Sequence, residues 1–265
     1  MKHRHLILAA LLLATPARAA DALERPIALY EAGKFDAAAL AAEAVQSAAG
    51  QAFAARALLA YATTAVKAAE RRAYYEQALA RADAAVKADG TLIDARLQKV
   101  SALGAITRLS DDLSAANRAM SSEIKEQIDA GLAQDPQSPA MQAALGSWNL
   151  DVVHRAGMSA FIVGASTAHG LAAFEQALAT GPAKIPICFE YALALAALDA
   201  GKYQDKIDAL AADALGVSAH DAYERILQER LKLLRAALVA HDGRALNAVI
   251  RGLRGAADLP ETRSP

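Results

Sequence analysis

Four sets of residues have types and spacings that suit chemistry. Ser122-Glu123-Ile124-Lys125 places a lysine one helical turn from a serine, the arrangement that activates a Ser-x-x-Lys nucleophile. That chemistry also needs a Ser-Asp-Asn or Lys-Thr-Gly partner on a sheet, and neither tripeptide follows. Asp151 and His154, three residues apart, share one helix face, so carboxylate and imidazole can meet; His169 follows after a spacer. They suit a weak metal site or an acid–base pair, or simply a surface Asp–His pair. No His-Glu-x-x-His and no cysteine cluster accompanies them. His220-Asp221 and His241-Asp242 read as helix termini, the first near an N-cap and the second near a C-terminus. Cys188 is the single cysteine, set between Ile187 and Phe189, and reads as a small buried apolar residue. The sequence therefore gives no case for an enzyme, and it calls for no metal or cofactor.

The elements that must position these groups are helices. The chain is 55% hydrophobic yet only 5% aromatic. It is rich in alanine, the best helix former, which lets helices approach closely. Alternating runs of Val, Ile and Thr are missing, so the expected class is all-α.

The first residues carry a targeting signal. Lys2, His3, Arg4 and His5 precede the apolar run Leu6–Ala14, and Ala17-Arg18-Ala19 offers small residues for cleavage after Ala19. The run is well short of the ~20 residues of a spanning helix. Residues 1–19 are thus expected to be a signal peptide, and the mature chain periplasmic or secreted. Removal of Lys2, Arg4 and Arg18 leaves 25 basic residues against 29 acidic ones, a net charge of −4. Nonspecific nucleic-acid binding needs a basic surface and is not expected.

Residues 20–256 read as paired helices, with 257–265 a disordered tail. Tyr30, Gly33, Phe35 and Ala38 outline a first hairpin, in which Gly33 ends one helix and Asp36 is expected to cap the next. Gln51–Glu70 reads as one long helix and Tyr74–Asp89 as another, with Ala78, Ala82 and Ala85 at repeat-like spacing. Further helices span Leu92–Leu109, then Asp111–Gln134 (capped by Ser110 or Asp111 and ended by Asp135-Pro136), Tyr223–Ala240 and Ala245–Leu253.

The central stretch is more specific. Leu145-Gly146 precedes a longer-than-usual gap, and then come Gly170, Phe174, Ala177 and Pro182. Leu193, Gly201, Tyr203 and Leu210 form the next unit. These spacings resemble the tetratricopeptide (TPR) repeat. They imply an α-solenoid of about five helix pairs, with an extended helix or a projecting spacer around Gly157–Ser166. Leu145-Gly146-x-Trp148, Val152-Val153 and Phe174-x-x-Ala177-Leu178 also resemble the regulator-of-microtubule-dynamics family and its bacterial relatives. More distantly they resemble the T component of TRAP transporters. The spacer here is Val163-Gly164-Ala165-Ser166-Thr167, without the Gly-Glu-Pro-Pro stretch common in the eukaryotic family, so microtubule binding is not carried over.

The resemblance implies a non-catalytic scaffold that binds a protein or peptide along a concave face. Ser147, Trp148, Asp151, His154 and Tyr191 are the groove candidates, with Trp148 expected to pack between helices. A second reading is a small-molecule carrier whose apolar pocket is walled near Met158, Phe161 and Ile162. The sequence does not decide the oligomeric state.

Overall fold

A computed structural model describes residues 16–109, 114–181 and 184–260. Most of the expected leader lies outside these residues, as do Ser110, Asp111, Pro182 and the chain beyond 260. Among the described residues there is no strand, and the fold is all-α. Twelve α-helices are present: α1 (Pro16–Glu31), α2 (Phe35–Glu43), α3 (Ala48–Thr64), α4 (Ala68–Ala88), α5 (Ile93–Thr107) and α6 (Ala115–Gln134). They continue as α7 (Pro139–Ala156), α8 (Thr167–Thr180), α9 (Lys184–Asp199), α10 (Gln204–Leu215), α11 (Ala222–Val239) and α12 (Gly243–Leu253). A 3-10 helix, Gly157–Val163, stands between α7 and α8.

Each helix packs on the next, and alternate helices also touch in series: α1 on α3, α3 on α5, α5 on α7, α7 on α9, and α9 on α11. The even-numbered helices pack on their odd neighbours as an outer layer. The series then closes, because α11 packs against α1. Tyr223 at the start of α11 lies with its ring 6.2 Å from Tyr30 and 6.1 Å from Phe35. The Arg225 guanidinium reaches the Glu31 carbonyl. Gly33 makes this closure feasible. Its φ is +78°, and the Lys34 amide donates to the Leu29 carbonyl, so α1 ends in a left-handed cap. A Cβ there would also stand 3.1 Å from Cβ of Ala222.

The core follows the composition. Among α1–α5 it is built largely of alanines (Ala38, Ala42, Ala54, Ala57, Ala78 and Ala82) around Tyr30, Phe35 and Phe53. Among α7–α12 larger side chains take over, including Phe174, Tyr191, Leu195, Ile207, Leu231 and Leu234. The tightest crossing is that of α7 and α8, where Gly146 faces Phe174; a Cβ on Gly146 would sit 2.5 Å from that ring.

Some expected boundaries shift. α3 stops at Thr64, well before Glu70, and α4 begins at Ala68. Hydroxyls of Thr63 and Thr64 bond back to the Leu59 and Ala60 carbonyls at this end. Asp36 does not cap α2: it lies inside the first turn, and Lys34 holds the cap position without a side-chain bond. Ser114 caps α6 through the Asn117 amide, Asp221 caps α11 and Asp242 caps α12. The described residues form twelve α-helices, where about five pairs were expected. Among the described residues no single helix is long and apolar enough to cross a membrane.

Candidate functional site

The expected groove residues lie on α7 and α9, and two of the five, Trp148 and Tyr191, are buried under neighbouring helices. Tyr191 is 2% exposed. Its ring stacks on Phe174 with centroids 4.4 Å apart, and its hydroxyl donates to Glu175 at 3.0 Å. Burial, and then the Glu175 carboxylate, push its ionisation well above the ordinary tyrosine range. Trp148 is buried between α6 and α7, where its Nε1 donates to the Ser121 carbonyl at 3.0 Å. Lys125 Nζ lies 5.7 Å from the centroid of its ring. Ser147 is half-buried. Asp151 does not pair with His154: its carboxylate takes Arg254 from beyond α12 and Arg155 from its own helix. His154 is exposed at the C-terminal end of α7. The five residues therefore do not form one open binding face.

The remaining candidates are accounted for locally. Ser122 Oγ donates to the Arg118 carbonyl, and Lys125 Nζ pairs with Asp129 at 2.7 Å, so the two do not meet. The Cys188 thiol is buried, and burial pushes its pKa up to about 11. Among the described residues no three of His, Cys, Asp and Glu converge on a metal-sized site.

Two features remain that could bind something. The first is the spacer. Met158, Phe161 and Ile162 do not wall a pocket; they are 92%, 74% and 73% exposed, and Val163 stands out beside them. The base of this tip is fixed. Ala160 and Ala165 are buried against Trp148 and its neighbours. The Ala165 amide donates to the Ala160 carbonyl. Asn149, itself buried, accepts the Ser166 amide on its Oδ1 at 3.0 Å and donates through Nδ2 to the Leu145 carbonyl. The result is an apolar knob on a pinned platform, and no charged residue falls between Gly157 and Ala168.

The second feature is a basic end of the array, where the C-terminal ends of α3, α5 and α7 meet the segment that follows α12. Four arginines here do structural work, three of them on main-chain carbonyls. Arg71 donates to the carbonyls of Val66, Gly255 and Ala257 at 2.9, 3.1 and 2.7 Å. Arg230 donates to the Thr63 carbonyl and Arg155 to that of Thr107. Asp258 pairs with Arg71 and accepts the Ala68 amide, so the chain is still docked beyond residue 256. The fourth, Arg254, is held by Asp151; its burial disfavours the charged form and the carboxylate favours it.

Beside Arg254 lies a cavity of about 340 Å³, lined by Arg108, His154, Asn247, Arg251 and Arg254 over small apolar residues of α9 and α12. Sequence reasoning missed Asn149 and all of these arginines. Arg251 and Arg254 are one helical turn apart, the only local hint; the partner of Arg254, Asp151, lies about a hundred residues away.

Comparison of the chain with protein-family models finds no match, and a search of curated proteins also finds none.

Proposed function

We propose that the chain is a non-catalytic interaction protein of the TPR-like solenoid type, working in the periplasm or outside the cell, which docks on a partner protein through its apolar tip. The exposure of Met158, Phe161, Ile162 and Val163 on a rigid base carries this reading. Large exposed apolar patches mark interaction sites, and a pre-ordered one loses little entropy on binding. The unbroken series of contacts between alternate helices supports the repeat reading, and so does the Gly146–Phe174 crossing. The signal-like N-terminus supports the compartment, and the net negative charge of the mature chain argues against nucleic acid as the partner.

A protein socket is favoured over a bilayer by what flanks the tip. Membrane-seated loops carry Lys or Arg that can reach headgroups. Among the described residues near the tip, Arg155 turns inward onto Asp151 and Thr107, and Lys125 pairs with Asp129 on its own helix.

Photo-crosslinking tests this. A benzophenone amino acid is placed at Phe161 in cells, with the exposed Leu40 on α2 as control. A discrete crosslinked protein, dependent on the Phe161 position and lost in an Ile162→Asp background, is expected. Vesicle flotation of the purified chain without any protein crosslink would replace the partner with a membrane. A crosslinked dimer matching a dimer in sedimentation would replace it with a second copy.

A further inference from the structure

We infer that the cavity between α12 and the C-terminal ends of α5, α7 and α9 binds a small organic anion carrying two or more carboxylate or phosphate charges. Three arginines line one space of about 340 Å³: Arg108 from the end of α5, and Arg251 and Arg254 from the end of α12, the last with its guanidinium also on Asp151. Among the described residues no carboxylate lines it.

The ordinary explanation for clustered arginines, capping of helix ends, applies to Arg71, Arg155 and Arg230. It does not extend to Arg108 and Arg251, whose guanidiniums have no ion-pair partner among the described residues. Asp151 does not balance them either, since its carboxylate is spent on Arg254 and Arg155. Like charges crowded beside a partly desolvated arginine repel, and a bound anion relieves that repulsion.

The chemistry of the lining selects the ligand. The planar fork of arginine matches carboxylate and phosphate oxygens two at a time. Arg108 and the Arg251–Arg254 pair approach from different elements, so two anionic groups are read at once. Asn247 adds an amide beside them, and Ala196, Ala197 and Ile250 give an apolar floor for a short carbon skeleton. The volume lies at the lower end for a small-molecule site of roughly 300–1,000 Å³. An uncharged or long apolar ligand fits this lining poorly.

Calorimetric titration of the purified chain with citrate and, separately, with inorganic pyrophosphate tests the inference. At low ionic strength one probe or both should bind saturably, one per chain, and more weakly as salt is added. Citrate alone would assign the site to carboxylates, and pyrophosphate alone to phosphates. Arg108→Gln and Arg251→Gln should each weaken binding about tenfold or more, the usual consequence of losing a charge-assisted contact. Arg244→Gln, an exposed change on α12 outside the cavity, should leave binding unaltered. Arg251 is also exposed, so its variant should melt at the wild-type temperature, and added ligand should raise that midpoint less than in wild type. Absence of saturable heat with both probes overturns the inference. So does an equal loss in Arg244→Gln, which would mean general charge attraction.

Discussion

Cys188 shows how far a single side chain is governed by its surroundings. It sits on α9, in the core with Phe189 and Tyr191, and is fully covered. Burial raises the thiol from its ordinary value near 9 to about 11, with a smaller push from the Asp213 carboxylate. Two measurable results follow. In the native chain at pH 8, Cys188 should resist alkylation by iodoacetamide and react only after unfolding, because the thiolate is scarce and covered. Stability should also fall as pH rises from about 9 to about 11. Below that window both states hold the proton, and within it only the unfolded chain releases it, so unfolding is favoured progressively. Rapid alkylation of native protein at pH 8 would mean that α9 opens readily. The same crowding acts at Gly146, whose missing Cβ admits the Phe174 ring, so these two positions have a direct steric meaning.

At the scale of elements, the helices themselves are legible because alanine and apolar periodicity run through the whole chain. Their ends are legible only where a capping residue or a breaker marks them. Asp221 is such a case: its side chain accepts the Glu224 amide at 2.8 Å, while Glu224 reaches back to the His220 amide at 2.7 Å, a reciprocal cap. Asp221→Ala should therefore cost about 1 kcal/mol in urea unfolding, and a change below a few tenths would show the cap to be replaced by water. The break between α3 and α4 has no such mark. Ala65, Val66 and Lys67 contain neither Gly nor Pro, and the interruption is imposed by tertiary packing around Arg71, which takes the Val66 carbonyl. The spacer was legible as an interruption of the repeat, since Gly157 and Gly164 bracket a charge-free run. The sequence left an extended helix and a projecting spacer both open, because Asn149 and the buried Ala160 and Ala165 decide between them through contacts across α7. The basic cavity was illegible for a similar reason: Arg108, His154 and Arg254 are neighbours only once the helices from α5 to α12 have been packed in place.

For the whole molecule, the decisive fact is that α11 returns to α1. An open repeat array is held by nearest-neighbour contacts, so its ends fray independently and a change in one unit stays local. Closure gives the first unit a second neighbour, and it also brings Arg230 onto Thr63 and the segment after α12 onto Arg71. Tyr191 and Asp151 are committed to internal contacts of their own, the first with Phe174 and Glu175 of α8 and the second with Arg155 and Arg254. Tyr223 is the test of this coupling, since its ring packs on both Tyr30 and Phe35, which also touch each other. Tyr223→Ala should destabilise the fold by about 3 kcal/mol, the lower end for removing a large core aromatic, because the ring is partly exposed. The more telling readout is where protection is lost. Hydrogen exchange should accelerate in α1 and α2 as well as in α11, although the chain between them is unchanged. Acceleration confined to α11 would mean that the two ends touch without supporting one another, and the array would then behave as an open solenoid.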